Sequence, residues 1–167
     1  MIHIGVDPGN RMGVAVISVN GLSNEPTVLL SLVLTEARIA DLWVAEKVRP
    51  WLAPPCHVWI ENPDAHVMAT RGAISPHHRT NVMSIYKQGV AAGVIVGQCL
   101  EAGVPFEFIA AGRVKELIAR NPSAPKEDVM VALRLMGIDL PLRPNGLPDP
   151  ECADAIAIAI AGSRLER

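Results

Sequence analysis

Two short apolar runs open the chain, Ile2 to Val6 and Val14 to Val19, and the turn cluster Pro8-Gly9-Asn10 between them predicts a β-hairpin. A third run, Val28 to Leu34, follows a break over Gly21 to Pro26, so the first three strands are expected to form an antiparallel meander. From Ala37 the apolar positions Ala40, Val44, Val48 and Trp51 repeat at helical spacing until Pro54 and Pro55 end the pattern. His57 to Glu61 then reads as a fourth strand, entered after a helix and therefore parallel to the first. Asn62 to Thr80 is polar and proline-containing, the mark of a functional surface loop. A long helix is expected from about Thr80 to Glu101, a fifth strand from Pro105 to Ile109, and helices over Val114 to Arg120 and Lys126 to Met136. The last helix starts at Pro150 with Asp149 as its N-cap and runs to Gly162, so rich in alanine and so poor in charge that it must be buried. Within the long helix Gly89, Gly93 and Gly97 share one face, which admits close packing either on the chain's own sheet or across a two-fold axis.

At 167 residues, 50% hydrophobic and 19% charged, the chain supports one core, and residues 1–167 are expected to form a single domain. The apolar runs are too short for a membrane span and MIHIGVDPG has no basic lead into an apolar signal core, so neither insertion nor secretion is expected. Cys56, Cys99 and Cys152 are widely spaced with no CxxC pair, which fits reduced thiols in a cytoplasmic protein. The net charge of −2 does not exclude a nucleic-acid partner, because setting aside four carboxylates that gather on cations leaves 13 acidic against 15 basic residues.

Those four carboxylates carry the chemistry. Asp7 ends the first strand just before Pro8-Gly9, and Glu61 ends the fourth in the same manner, so neighbouring strands would place them side by side at one edge of the sheet. Glu151 and Asp154 lie three apart on one face of the last helix, near its N-terminus, and that face continues through Ala155 and Ile158 toward the sheet. Taken singly, Asp7 is a turn residue and Glu151 a complement to the helix dipole; the four together are not explained that way. A shared, partly buried site of four carboxylates requires cations, and hard oxygen donors select Mg²⁺ or Mn²⁺. Two such ions per site suit in-line hydrolysis of a phosphodiester.

With those residues in view, the chain resembles the RuvC family of Holliday-junction resolvases, members of the ribonuclease H-like superfamily. The blocks that carry the likeness run end to end: IGVDPGNRMGVAVI, VWIEN, SIYKQGVAAGVIVGQ, AAGRVKELI, APKEDVMVAL and ECADAIAIAIAG. The resemblance implies an α/β fold of the ribonuclease H-like type, a five-stranded mixed sheet flanked by helices. It further implies that Asp7, Glu61, Glu151 and Asp154 bind the metals, that Lys115 and Lys126 lie near the scissile phosphate, and that the protein works as a homodimer on branched DNA, chiefly four-way junctions. Lys126 also has a physical rationale of its own, since a lysine heading a helix after Pro125 sets a point charge against a phosphate.

DNA contact is expected from the loop and the start of the long helix, where Arg71, His77, His78, Arg79 and Lys87, with His66, face a single acidic residue, Asp64. Two departures stand out. The closing pair begins with Glu151 where the family more often has Asp or His, and residues 62–85 lack the aromatic that wedges into the junction in the best-studied branch, leaving Met68 or a histidine to insert. Both suit a divergent, phage-type member. Three other classes compete: a sugar kinase or actin-like ATPase using residues 7–13 as a phosphate loop, for which 167 residues supply one of two needed domains; a nuclease trimming structured RNA; and a non-catalytic junction-binding dimer.

Overall fold

The computed structural model describes residues 1–9, 11–20, 25–35, 47–53, 55–62 and 82–166. Its elements are β1 (Ile2–Asp7), β2 (Arg11–Val19), β3 (Pro26–Thr35), β4 (Cys56–Glu61), α1 (Val82–Ala102), β5 (Phe106–Ile109), α2 (Ala111–Ala119), α3 (Lys126–Leu135) and α4 (Pro150–Leu165). The five strands form one mixed sheet in the order β3-β2-β1-β4-β5. β1, β2 and β3 are antiparallel neighbours, as the hairpin signals require, whereas β1–β4 and β4–β5 are parallel. The expected α/β class, meander and parallel fourth strand are therefore all present. β2 begins three residues earlier than its apolar run because Arg11 and Met12 already pair with Thr35 and Leu34. The helical pattern expected from Ala37 falls largely outside the described residues; its end is a 3₁₀ turn over Arg49–Trp51, with Pro50 supplying no amide hydrogen.

Alternation along the strands sorts side chains between two cores. Ile4, Val6, Val14, Val16, Val58 and Ile60 face α1, which meets them with Ala91, Ala92, Ile95 and Cys99. Ala15, Ile17 and Trp59 face the other way, onto α4. α4 is buried over eleven of its positions because the sheet covers one side and α2 and α3 cover the other. This layering explains a helix with so little polar surface. All three cysteines are buried, and burial pushes the Cys56 thiol up to about 12. No helix among the described residues is long and apolar enough to cross a membrane.

How closely α4 sits on the sheet is set by glycine. A Cβ built on Gly13 would lie 2.1 Å from the Glu151 carbonyl oxygen, and one on Gly5 would lie 2.1 Å from that of Ala155. On the helix side, a Cβ at Gly162 would strike the Trp59 ring at 2.2 Å. The far end of α4 is tied down as well: the carboxylate that follows it, Glu166, accepts from His57 Nδ1 at 2.9 Å and lies 3.4 Å from His3 Nδ1. Both histidines are buried partners in register on β1 and β4. In contrast, Gly89, Gly93 and Gly97 of α1 are exposed and a Cβ there meets nothing within 4 Å, which removes packing on the chain's own sheet as their explanation.

Gly13→Ala tests the seating of α4. Forcing a methyl against backbone is expected to cost about 1–3 kcal/mol, a fall in melting temperature of roughly 2–12 °C for a domain of this size, measured by thermal unfolding followed by circular dichroism. An unchanged melting temperature would show that α4 can ride higher on the sheet without penalty.

Candidate active site

Asp7 and Glu61 end parallel neighbouring strands whose register pairs Val6 with Ile60, so the two carboxylates leave the sheet side by side. Period-two alternation puts Asp7 on the same face as Gly5 and Glu61 on the same face as Trp59, and that is the face α4 covers. The close seat of α4 at Gly13 then sets the first turn of that helix, with Glu151 and Asp154, beside the strand ends. Asp149 begins this turn as expected, its Oδ1 accepting from the Glu151 backbone N–H at 3.1 Å. Lys115 from α2 and Lys126 from the first position of α3 close the remaining side. Together with Arg11 and Gln88, these groups line a cleft of about 390 Å³.

Electrostatics in the cleft are those of crowded, half-buried carboxylates. Burial, reinforced by repulsion from Asp154, pushes Asp7 up to about 6. Glu61 is pushed up to about 7 by burial and by the charges of Asp7 and Asp154. Burial also raises Asp154, against the opposing hydrogen bond from Lys126 Nζ. Burial disfavours the Lys126 ammonium, but the bond to Asp154 together with the charges of Asp154, Asp7 and Glu151 outweighs it and holds this lysine above its ordinary value. Asp154 had no cationic partner near it in sequence; its partner comes from another helix, 28 residues away.

Glu151 is also engaged, accepting from Arg143 Nη2 at 2.6 Å, while Arg143 Nε lies 3.4 Å from Asp149 Oδ2 and Arg11 Nη2 lies 3.2 Å from the same oxygen. With Lys126 on Asp154 and Arg143 on Glu151, no three acidic, histidine or cysteine side chains among the described residues converge as a ready-made cation cage. The donor chemistry nonetheless fits a hard divalent cation, because four carboxylates share one cleft and the upward shifts of Asp7 and Glu61 record burial first and mutual repulsion second, both of which such a cation offsets.

The structure thus brings Asp7, Glu61, Glu151, Asp154, Lys115 and Lys126 to one cleft. Lys87 lies half-buried near the start of α1, one residue before the cleft-lining Gln88. Arg71, His77, His78 and Arg79 lie outside the described residues. Arg143 and Arg11 were not anticipated. The signal for Arg143 was present in Asn145-Gly146, a strong hairpin pair: Leu142 bridges Pro148, Gly146 adopts φ 78°, and the tight turn folds Arg143 back onto α4.

Comparison with known proteins gives the family. The family model for crossover junction endodeoxyribonuclease RuvC matches residues 3–162. The chain is 31% identical to the crossover junction endodeoxyribonuclease RuvC of Rhodopirellula baltica over 169 residues, spanning 97% of this chain and 85% of that protein. It superposes on Thermus thermophilus RuvC, solved in complex with a Holliday junction substrate, with a TM-score of 0.72 at 26% identity, over 100% of this chain and 95% of that one. A fowlpox virus resolvase solved with Holliday junction DNA shares the fold at a TM-score of 0.52 and 13% identity, over 99% of each chain. A family model that covers almost every residue, and a relative matched along nearly the full chain, establish that this chain belongs to the crossover junction endodeoxyribonuclease RuvC family.

Proposed function

We propose that this chain is a metal-dependent endodeoxyribonuclease that resolves four-way DNA junctions, and acts on other branched DNA, by paired symmetric nicks. The observation that carries this reading is the meeting of four carboxylates from β1, β4 and α4 in one cleft, in a chain of the RuvC family. We further propose that residues 1–167 act as one nuclease domain in the cytoplasm.

Asp7, Glu61, Glu151 and Asp154 would hold Mg²⁺, two ions per site, with Mn²⁺ able to substitute. The bound cations supply activation of the attacking water and stabilisation of the departing oxygen. The chain supplies the rest. Asp7 and Glu61, fixed at strand ends, set one side of the donor group, and the α4 pair sets the other at a spacing fixed by helix geometry. Lys126 and Lys115 place positive charge where a phosphate would sit, and Lys126 exchanges its carboxylate partner for that phosphate. Arg71, His77, His78, Arg79 and Lys87 contact the DNA backbone and position the junction.

Resolution needs two cuts on opposed strands, hence two clefts. The homodimer is supported by α1, whose exposed face carries Gly89, Gly93 and Gly97 with Val90 and Leu100, an apolar surface open to close approach by a second copy.

Three outcomes are expected. Asp7→Asn loses at least about a hundredfold in cleavage of a synthetic four-way junction with Mg²⁺ while still retarding that junction in a gel; equal cutting of linear duplex, Y-fork, flap and junction by the native chain would remove junction resolution from the function. The pH dependence follows from the raised carboxylates. Their charged forms are disfavoured in the fold, so the metal-free protein loses stability as pH rises from the ordinary carboxylate range through about 6 and 7, and cations restore it only where the groups are ionised. Mg²⁺ should therefore raise the melting temperature more at pH 8 than at pH 5.5, and equal gains would refute cation binding at these carboxylates. Finally, Gly93→Leu should shift the chain from dimer to monomer in sedimentation equilibrium with its circular dichroism intact; an undisturbed dimer would move the interface elsewhere.

A further inference from the structure

Arg143 stands outside every role assigned so far, yet its Nη2 lies 2.6 Å from Glu151 Oε2 in the cleft. It sits on a small hairpin closed by Arg143 N to Leu147 O at 2.7 Å and Gly146 N to Arg143 O at 2.9 Å, on the surface and separate from the helix it touches. Its side chain is about one-third exposed, so it can leave Glu151 for solvent without disturbing buried packing. Its second contact, to Asp149 Oδ2, is shared with Arg11, so the cap of α4 keeps a cationic partner when Arg143 departs. The Asp149 bond that caps the helix uses the other oxygen, Oδ1.

We propose that Arg143 is a positioning residue that competes with the metal for Glu151: its guanidinium holds the carboxylate in the cation-free enzyme and opposes the approach of a cation to it. This inference rests on Glu151 being a metal ligand, as proposed above. Lys126 neutralises Asp154 as a group that lines the cleft itself, whereas Arg143 reaches Glu151 from the hairpin outside that lining. The guanidinium occupies an acceptor position on Oε2 and sets a positive charge against any cation approaching the same carboxylate, so Arg143 raises the cation concentration at which the site fills. Arg11 bears the same charge on the same aspartate without touching Glu151, and so separates direct competition from the general field of a nearby cation.

The test is a titration of the full, DNA-free chain with Mn²⁺, free ion being read by electron paramagnetic resonance, for the native protein, Arg143→Gln, Arg143→Lys, Arg11→Gln and Asp7→Asn. Arg143→Gln is expected to bind Mn²⁺ about two- to fivefold more tightly, the range an ion pair partly open to solvent is worth. Arg143→Lys, which keeps the charge, should return most of the way to native affinity, and Arg11→Gln should change it by less than Arg143→Gln. Unchanged or weaker binding by Arg143→Gln, or an equal gain in Arg11→Gln, overturns the competition while leaving the metal site intact. Native chain whose Mn²⁺ binding is no greater than that of Asp7→Asn would instead overturn the metal reading, and this inference with it.

Discussion

The contact between the first turns of α4 and the β1–β2 pair is the constraint on which the rest depends. At Gly5 and Gly13 there is no room for even one carbon between strand and helix backbone. That proximity is what brings Glu151 and Asp154, on a helix near the end of the chain, level with Asp7 at its beginning. Helix and sheet otherwise pack with side chains interleaved, at a separation that would leave the two pairs of carboxylates facing each other across a wider gap. The alanines of α4 serve the same end, since a helix enclosed by the sheet on one side and by α2 and α3 on the other has space only for small or well-fitted apolar groups.

Close seating carries an electrostatic cost. Three of the four carboxylates are driven toward their neutral forms by burial and by one another. In the free chain the opposing charge comes from basic side chains on four separate segments: Lys115 on α2, Lys126 on α3, Arg143 on the hairpin before α4, and Arg11 at the start of β2, the last acting through Asp149. The cleft therefore sets cations on long, partly exposed side chains against anions held at strand ends and on a buried helix. Such a division would suit the exchange of protein cations for metal ions and phosphate proposed above.

Much of this was legible in the chain itself. Alternation and helical spacing give the strands and helices, because each element here buries one regular face; Asp-Pro-Gly after an apolar strand and the i, i+3 pair after a Pro-Asp-Pro cap mark the carboxylates. Close approach is harder to read. The evenly spaced glycines of α1 draw the eye, yet they look outward, while Gly5, Gly13 and Gly162 show no periodicity because each answers to a partner distant in sequence. Arg143 was hidden for a related reason: its partner is fixed by a tight turn that reverses the chain, and a proline-rich connection conceals that reversal unless Asn145-Gly146 is given its full weight.

The histidine pair on β1 and β4 gives the site a mechanical character. α4 is about 24 Å long, and its trailing carboxylate is gripped by His57 at the end opposite to the cleft while its leading turn is capped and wedged against glycine. A rod clamped at both ends cannot rock. The bank facing it carries Lys115, Lys126 and Gln88 at the start of α1, so the carboxylates stand on an anvil fixed at both ends and the cations look onto it.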